Sequence, residues 1–257
     1  MRILILGGTG EASALARLVA GDGRFSLTLS LAGRTMRPKA QPLPMRSGGF
    51  GGTAGLERWL RREGVSTVID ATHPYAVRIS ANAVAACASL GIALASIVRP
   101  PWVRQEGDRW IGVDSATAAA RALGDSPARV FLSLGRLELA AFASAPQHDY
   151  IARTIDPPGA GPLPPSIRFV HGRGPFDTIS ETAFLARERI DIVVSKNSGG
   201  AATYAKVAAA RSIGLPVVMI ARPHKPAGIA LAGPDAALRW LEERLVHEGA
   251  SKARREV

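Results

Sequence analysis

Several short motifs collect residue types that can carry chemistry. In Asp70-Ala71-Thr72-His73-Pro74-Tyr75-Ala76 an acid leads into a histidine and a tyrosine. Near neutral pH a histidine can donate a proton or hydrogen-bond a carboxylate, so His73 and Tyr75 are candidate catalytic groups. A lone histidine can equally be a structural hydrogen-bonder. Ser195-Lys196-Asn197-Ser198-Gly199-Gly200 runs on to Thr203-Tyr204-Ala205-Lys206. Lys196 can hold a carboxylate or phosphate, and the serines and glycine amides can line an anion cradle. The G-x-x-x-x-G-K-[ST] order of a Walker loop is absent. In His171-Gly172-Arg173-Gly174-Pro175-Phe176 glycines flank an arginine, so backbone and guanidinium can close together on an anion, or the glycines can simply serve a turn. Arg99-Pro100-Pro101-Trp102 offers another carboxylate clamp and an indole that can cover a flat ring or fill a core.

The amino-terminal motif is Gly7-Gly8-Thr9-Gly10-Glu11-Ala12-Ser13. Gly8-x-Gly10-x-x-Ser13 is a variant of the dinucleotide fingerprint, with a small residue in third place. Glycines let the backbone approach a phosphate, and the following helix offers unpaired N–H groups. Without a ligand it remains a tight strand-to-helix turn. An NAD enzyme places an Asp or Glu after the second strand to bind the ribose hydroxyl. Here Ala32-Gly33-Arg34-Thr35-Met36-Arg37 supplies none. Arg34 and Thr35 suit a 2′-phosphate instead, which favours NADPH, unless they are solvated loop residues. The expected cofactor contacts are Gly7, Gly8, Thr9, Gly10, Glu11, Arg34, Thr35, Thr72, Gly172, Arg173, Ser195, Asn197 and Ser198. Substrate contacts are expected from Arg99, Lys196 and Tyr204, with His73, Tyr75 and Lys196 as catalytic candidates.

Other chemistries are poorly served. The five histidines are widely spaced and lack H-x-x-x-H or cysteine partners, so no metal site is expected. No G-x-S-x-G elbow is present. Cys87, the single cysteine, has no intrachain partner and reads as a small buried filler. The formal charge of +11, from 32 Lys+Arg against 21 Asp+Glu, points to an anionic partner. Scattered arginines, 5% aromatics and the lack of a recognisable nucleic-acid motif argue for a small anion over nucleic acid. No apolar run reaches the roughly 18–20 residues that span a bilayer. The start MRILILGGTGEA reads as a buried strand, not a leader, and the protein as cytoplasmic.

These motifs must be positioned by elements, and the apolar runs say which. Strands are expected at Arg2–Leu6, Ser26–Leu31, Val65–Asp70 and Ile92–Val98, alternating with helices over about Glu11–Ala20, Leu56–Glu63 and Ala76–Leu90. The segment Arg34–Gly55 reads as loop with a short strand near Pro44–Arg46. Pro74 is placed near the first helical position, with Thr72 or His73 near the cap. After Pro100-Pro101, residues 102–111 read as a hairpin or a domain crossover. A second alternating unit follows, with strands at Arg129–Leu134, Asp149–Arg153, Ile167–Val170, Ile190–Ser195 and Pro216–Ile220. Its helices are Ala116–Leu123, Leu137–Ser144, Thr178–Glu188, Ala202–Ile213 and Pro234–Glu248. The pattern gives an α/β protein of two Rossmann-like domains, 1–105 and 106–257, with mostly parallel sheets and a cleft between them.

Together and in this order, GGTGEA at 7–12, DATHPYA at 70–76, GRGPF at 172–176, SKNSGG at 195–200, TYAKVAAAR at 203–211 and PVVMIARP at 216–223 resemble the precorrin-6A reductase family, including its cobalt-precorrin-6A counterpart. The resemblance covers nearly the whole chain. It implies two Rossmann-like domains, NADPH as hydride donor, and an anionic macrocyclic tetrapyrrole as substrate. The implied reaction delivers hydride to C19 and a proton to C18, giving precorrin-6B. A monomer or weak homodimer is expected. Two other readings stay open: an NADPH reductase of another small polyanion, and a non-enzymatic dinucleotide-binding protein.

Overall fold

The computed structural model describes residues 1–33, 38–156 and 161–253. The chain forms two compact units, Met1–Arg99 with His224–Val257, and Pro100–Pro223. The expected division at 105/106 therefore differs from the observed one. The second unit is inserted into the first, and the carboxy-terminal segment returns to the first.

In the first unit the strands are β1 (Arg2–Leu6), β2 (Ser26–Leu31), β3 (Met45–Ser47), β4 (Thr67–Asp70) and β5 (Ala93–Ile97). The helices are α1 (Gly10–Leu18), α2 (Gly52–Arg62) and α3 (Val77–Leu90). In the second unit come β6 (Arg109–Val113), α4 (Ala116–Ala122), β7 (Arg129–Ser133) and a 3₁₀ helix (Leu139–Ser144). They are followed by β8 (Asp149–Thr154), β9 (Ile167–His171), α5 (Thr178–Arg187), β10 (Ile192–Lys196), α6 (Ala205–Ser212) and β11 (Pro216–Ile220). The return to the first unit adds β12 (Ile229–Leu231) and α7 (Pro234–Ala253).

Each unit holds one six-stranded sheet, in the orders β12-β5-β4-β1-β2-β3 and β6-β11-β10-β7-β8-β9. The pairings are parallel, as helical crossovers between strands require. Such a sheet is covered on both faces, so its strands read as continuous apolar runs. β1 shows how the period of two divides the core. Ile3 and Ile5 face a cluster with Leu15 of α1 and Leu241 of α7. Leu4 and Leu6 face Leu56 and Leu60 of α2 and Ala83 and Ala86 of α3. Burying each such aliphatic side chain contributes about 1.5–3 kcal/mol. In the second unit Phe131 of β7 and Val193 of β10 pack on Phe184 and Leu185 of α5 and Val207 of α6.

Several local expectations are corrected. α3 starts at Val77 with Ala76 at its cap, so Pro74 lies in a turn before the helix. α6 starts at Ala205, because residues 201–204 form a turn closed by Tyr204 N donating to Ala201 O. Residues 102–111 make no hairpin: β6 instead pairs in parallel with β11. α2 begins four residues before the expected Leu56. β12 was not expected, and α7 packs on α1 in the first unit. Among the described residues no helix is long and apolar enough to cross a membrane. Cys87 is buried among α3 and β4 neighbours, and burial pushes its thiol up to about 12, so it stays protonated at neutral pH.

Candidate active site

In the first unit the strand register sets Leu6 beside both Ser30 and Asp70. The segments after β1, β2 and β4 therefore leave one sheet edge together. This is the carboxyl edge, where open parallel sheets take their ligands. Gly7 continues β1 by donating to Ser30 O at 2.9 Å. A Cβ at Gly7 would come within 2.7 Å of the buried Leu29 Cδ1 and 3.3 Å of Ala12 Cβ, so the side chains packed there favour glycine. Gly8 has φ +107°, a left-handed conformation that side chains resist. A Cβ at Gly8 or Gly10 would meet nothing within 4 Å, which leaves room above the turn for a phosphate. Thr9 caps α1 by accepting from Ala12 N at 3.2 Å, and its hydroxyl donates to Ala71 O at 2.6 Å. The glycine turn is thus tied to the motif after β4.

Asp70 is almost fully buried and acts as the hub of that motif. Its Oδ1 accepts from Thr72 N at 2.9 Å and Thr72 Oγ1 at 2.6 Å, and its Oδ2 accepts from Ser80 Oγ at 2.5 Å. Lys225 balances the charge, with Nζ 3.3 Å from Oδ2 and 3.3 Å from Thr72 O. This arrangement gives Asp70 and Thr72 the work of fixing the loop that presents His73 and Tyr75. His73 Nδ1 accepts from Tyr75 N at 3.3 Å, and the two rings lie 5.5 Å apart. An Nδ1 that accepts places the proton of neutral imidazole on Nε2. Both side chains are half-buried.

Arg99 is engaged within its own unit. Its NH1 lies 2.8 Å from both carboxylate oxygens of Glu11 in the first turn of α1. Burial acts to raise the Glu11 pKa, but the hydrogen bonds from Arg99 and its charge prevail and hold it below the ordinary value. Arg34 and Thr35 lie outside the described residues. Arg46 of β3 stands in register with Ser30 of β2. It donates to Ser30 Oγ at 2.8 Å, Gly48 O at 3.0 Å and Gly49 O at 3.1 Å, and lies 3.8 Å over the Phe50 ring.

In the second unit the carboxyl edge brings together the segments after β7, β9, β10 and β11. Ser195 stands beside Ser133 and Met219, and Lys196 beside Ile220. Ser195 is buried, and its hydroxyl donates to Lys196 O at 3.2 Å. Lys196 forms an ion pair with Glu138 from the loop after β7. Asn197 grips a neighbouring strap: Trp102 N donates to its Oδ1 at 2.7 Å, and its Nδ2 donates to Trp102 O at 2.9 Å. Trp102 Nε1 then donates to Gly200 O at 2.8 Å. Arg222 adds Nε to Asn197 O at 2.7 Å and NH2 to Pro100 O at 3.1 Å. Gly199 has φ +65°, and a Cβ there would overlap Pro100 O and the Arg222 guanidinium. The loop around Ser198 is therefore a braced platform.

Below it, Tyr204 packs on Trp102 with ring centroids 5.6 Å apart, and its hydroxyl accepts from Arg211 at 3.0 Å. Lys206 is buried, donates to Thr203 O at 2.6 Å and lies 5.0 Å from the Trp102 ring. Burial draws its pKa down to about 7, with Glu181 opposing and Arg153 adding to the fall. Arg153 pairs with Glu181 at 2.8 Å among the rings of Phe131, Phe176 and Phe184. Gly172 lies against Arg153, since a Cβ would come within 3.0 Å of its Cδ. The loop carrying Arg173 continues to Phe176, whose N donates to Ala202 O at 3.2 Å.

The sequence motifs thus fall on two carboxyl edges. Gly7–Glu11, Thr72, His73, Tyr75 and Arg99 belong to one, and Gly172, Arg173, Ser195–Ser198 and Tyr204 to the other. Reading the sequence alone missed Arg46, Glu138, Lys206 and Lys225. A signal existed for Arg46, since no acidic residue occurs between Asp22 and Glu57.

A glycine turn leading into a helix at the edge of a parallel sheet, with the same alternating architecture in a second unit, defines a class: Rossmann-like α/β proteins. Comparison with known proteins narrows that class. The family described as "Precorrin-6x reductase CbiJ/CobK" matches residues 2–242. The precorrin-6A reductase of Rhodobacter capsulatus is 54% identical over 243 residues, covering 94% of this chain and 96% of that protein. The precorrin-6A reductase of a Sinorhizobium species is 48% identical over 93% of this chain and 94% of its own length. The cobalt-precorrin-6A reductase of Salmonella typhimurium is 30% identical, with coverages of 86% and 87%. A solved structure titled "CobK precorrin-6A reductase" superposes with a TM-score of 0.89 at 54% identity, covering 95% of this chain and 96% of that one. The chain belongs to the precorrin-6x reductase CbiJ/CobK family. It is an oxidoreductase of α/β fold, and its family points to a nicotinamide cofactor.

Proposed function

We propose that this protein reduces precorrin-6A to precorrin-6B with NADPH during cobalamin biosynthesis. The observation that carries the reading is the Gly7–Gly10 turn, which opens helix α1 at the carboxyl edge and where a Cβ at Gly8 or Gly10 would meet nothing within 4 Å, in a chain of this family. The names of its relatives favour the substrate without cobalt. Relatives at 54% and 48% identity carry the plain name, and the cobalt form appears at 30% and 26%. The choice of NADPH over NADH rests on the acid-free stretch between Asp22 and Glu57. The setting is read as cytoplasmic, and the protein as a monomer or weak homodimer.

When bound, the nicotinamide supplies the hydride, and the protein supplies orientation and charge. The α1 N-terminus and the Gly7–Thr9 amides would hold the pyrophosphate. Arg99 neutralises Glu11 beneath them, so this acidic side chain does not repel that anion. His73, with its proton on Nε2 when neutral, is the best-placed group of the first unit to deliver a proton. Tyr75 is the second choice. Lys196 is less suited to clamp a carboxylate than its sequence position suggests, because Glu138 already matches its charge. Tyr204 and Asn197 serve the reaction by bracing Trp102, and Arg173 remains a candidate clamp for substrate carboxylates. The test is turnover of precorrin-6A against cobalt-precorrin-6A under single-turnover conditions. Faster reduction of the metal-free macrocycle supports the reading, and a preference for the cobalt form overturns the substrate choice.

A further inference from the structure

We propose that Arg46 binds the 2′-phosphate of the cofactor, an inference that rests on the NADPH reading. Four observations converge on this residue. Arg46 lies beside Ser30, one residue before the end of β2, at the sheet position where this fold reads the ribose 2′ substituent. Its side chain is held in place before any ligand arrives, by Ser30 Oγ, Gly48 O and Gly49 O on one side and the Phe50 ring beneath. These three bonds use three of the five guanidinium N–H groups, so Nε and one NH2 hydrogen are left to serve an anion.

Nor does any carboxylate among the described residues offset the charge of Arg46. Arg24, Arg99, Arg153 and Arg211 each pair with a carboxylate. Among the described residues Arg46 has only neutral acceptors, and the nearest acids in sequence are Asp22 and Glu57. A guanidinium that meets only neutral acceptors among the described residues keeps its positive field for an incoming anion. Finally, Gly33, which opens the segment containing Arg34, packs directly on the Arg46 loop. A Cβ on Gly33 would lie 3.3 Å from Gly48 N, and Gly48 N donates to Leu31 O at 2.9 Å. The departure point of the β2 loop and the Arg46 guanidinium are thus joined through Gly48.

The experiment measures dissociation constants of NADPH, NADH and the probe 2′,5′-ADP by calorimetry, for wild type, Arg46→Gln and Arg46→Met. Glutamine removes the charge while keeping a shorter polar side chain. If Arg46→Met unfolds, Arg46→Gln alone decides. Loss of a charge-assisted contact predicts NADPH and 2′,5′-ADP affinities weakened by about 10- to 100-fold, with NADH changed by less than about threefold. An unchanged NADPH-to-NADH ratio in a folded variant assigns Arg46 to loop structure only and overturns the proposal. A wild type that does not discriminate between NADPH and NADH overturns the NADPH reading itself, and this proposal with it.

Discussion

Asn197 and the backbone of Trp102 form a reciprocal pair: the amide oxygen accepts from Trp102 N at 2.7 Å and the amide nitrogen donates to Trp102 O at 2.9 Å. The side chain thereby replaces a strand neighbour for a residue that lies outside any strand. Among side chains, asparagine and glutamine present a donor NH₂ and an acceptor oxygen side by side on one planar amide. Asn197→Asp turns the donor into a second acceptor facing Trp102 O. It is expected to cost about 2–4 kcal/mol, from one lost bond and one repulsive contact, against about 1–3 kcal/mol for Asn197→Ala. Urea unfolding followed by tryptophan fluorescence gives the comparison. Equal stability of wild type and Asn197→Asp would contradict the clamp.

The Glu11–Arg99 pair yields a prediction about binding. Arg99→Ala would leave a carboxylate unpaired in the first turn of α1, close to where a pyrophosphate is expected. Like charges at such distance in a partly buried setting repel appreciably. NADPH affinity should fall by roughly tenfold, a loss of about 1.4 kcal/mol. Adding Glu11→Gln should recover most of it. No recovery in the double variant would mean that Arg99 itself contacts the ligand, as its sequence position first suggests.

Lys206 makes stability depend on pH. Its folded pKa of about 7 lies below the ordinary 10.5. Between those values the unfolded chain holds a proton that the folded chain does not. The stability attributable to this group is therefore lowest below pH 7 and rises with pH across that window. The difference in unfolding free energy between wild type and Lys206→Met should shift in favour of wild type by up to about 1.4 kcal/mol per pH unit there. A pH-independent difference would show that Lys206 is charged throughout.

His73→Ala tests proton delivery. With the Nε2 proton removed, kcat should drop by about 100-fold, within the usual range for a general acid, while the NADPH dissociation constant stays within about twofold. An unchanged kcat removes His73 as the proton source and turns attention to Tyr75.

The fold was legible where local chemistry decides it. Apolar runs announce strands buried on both faces, as at Arg2–Leu6 and at Ile190–Ser195, which is realised as Ile192–Lys196, and Gly91 at φ +63° closes α3 as its sequence position implies. It was not legible where distant segments meet. Nothing local tells that α7 leaves the second unit to cover Ile3 and Leu29, or that the three residues of β12 pair with β5. The site divides in the same way. Motif positions at strand ends were readable, but pairings were not. Lys196 meets Glu138 across 58 residues and Lys225 meets Asp70 across 155, so neither partnership leaves a spacing signal. Arg99, Asn197 and Tyr204, expected as ligand contacts, also carry bonds to Glu11, Trp102 and Arg211 that leave no spacing signal.

The most direct test of the central claim is incubation of the purified protein with precorrin-6A and either NADPH or NADH, followed by nicotinamide absorbance and product mass. The account predicts that NADPH is consumed in step with a macrocycle that gains two hydrogens, and that NADH is used far more slowly. Bound NADPH with an unaltered macrocycle would contradict it.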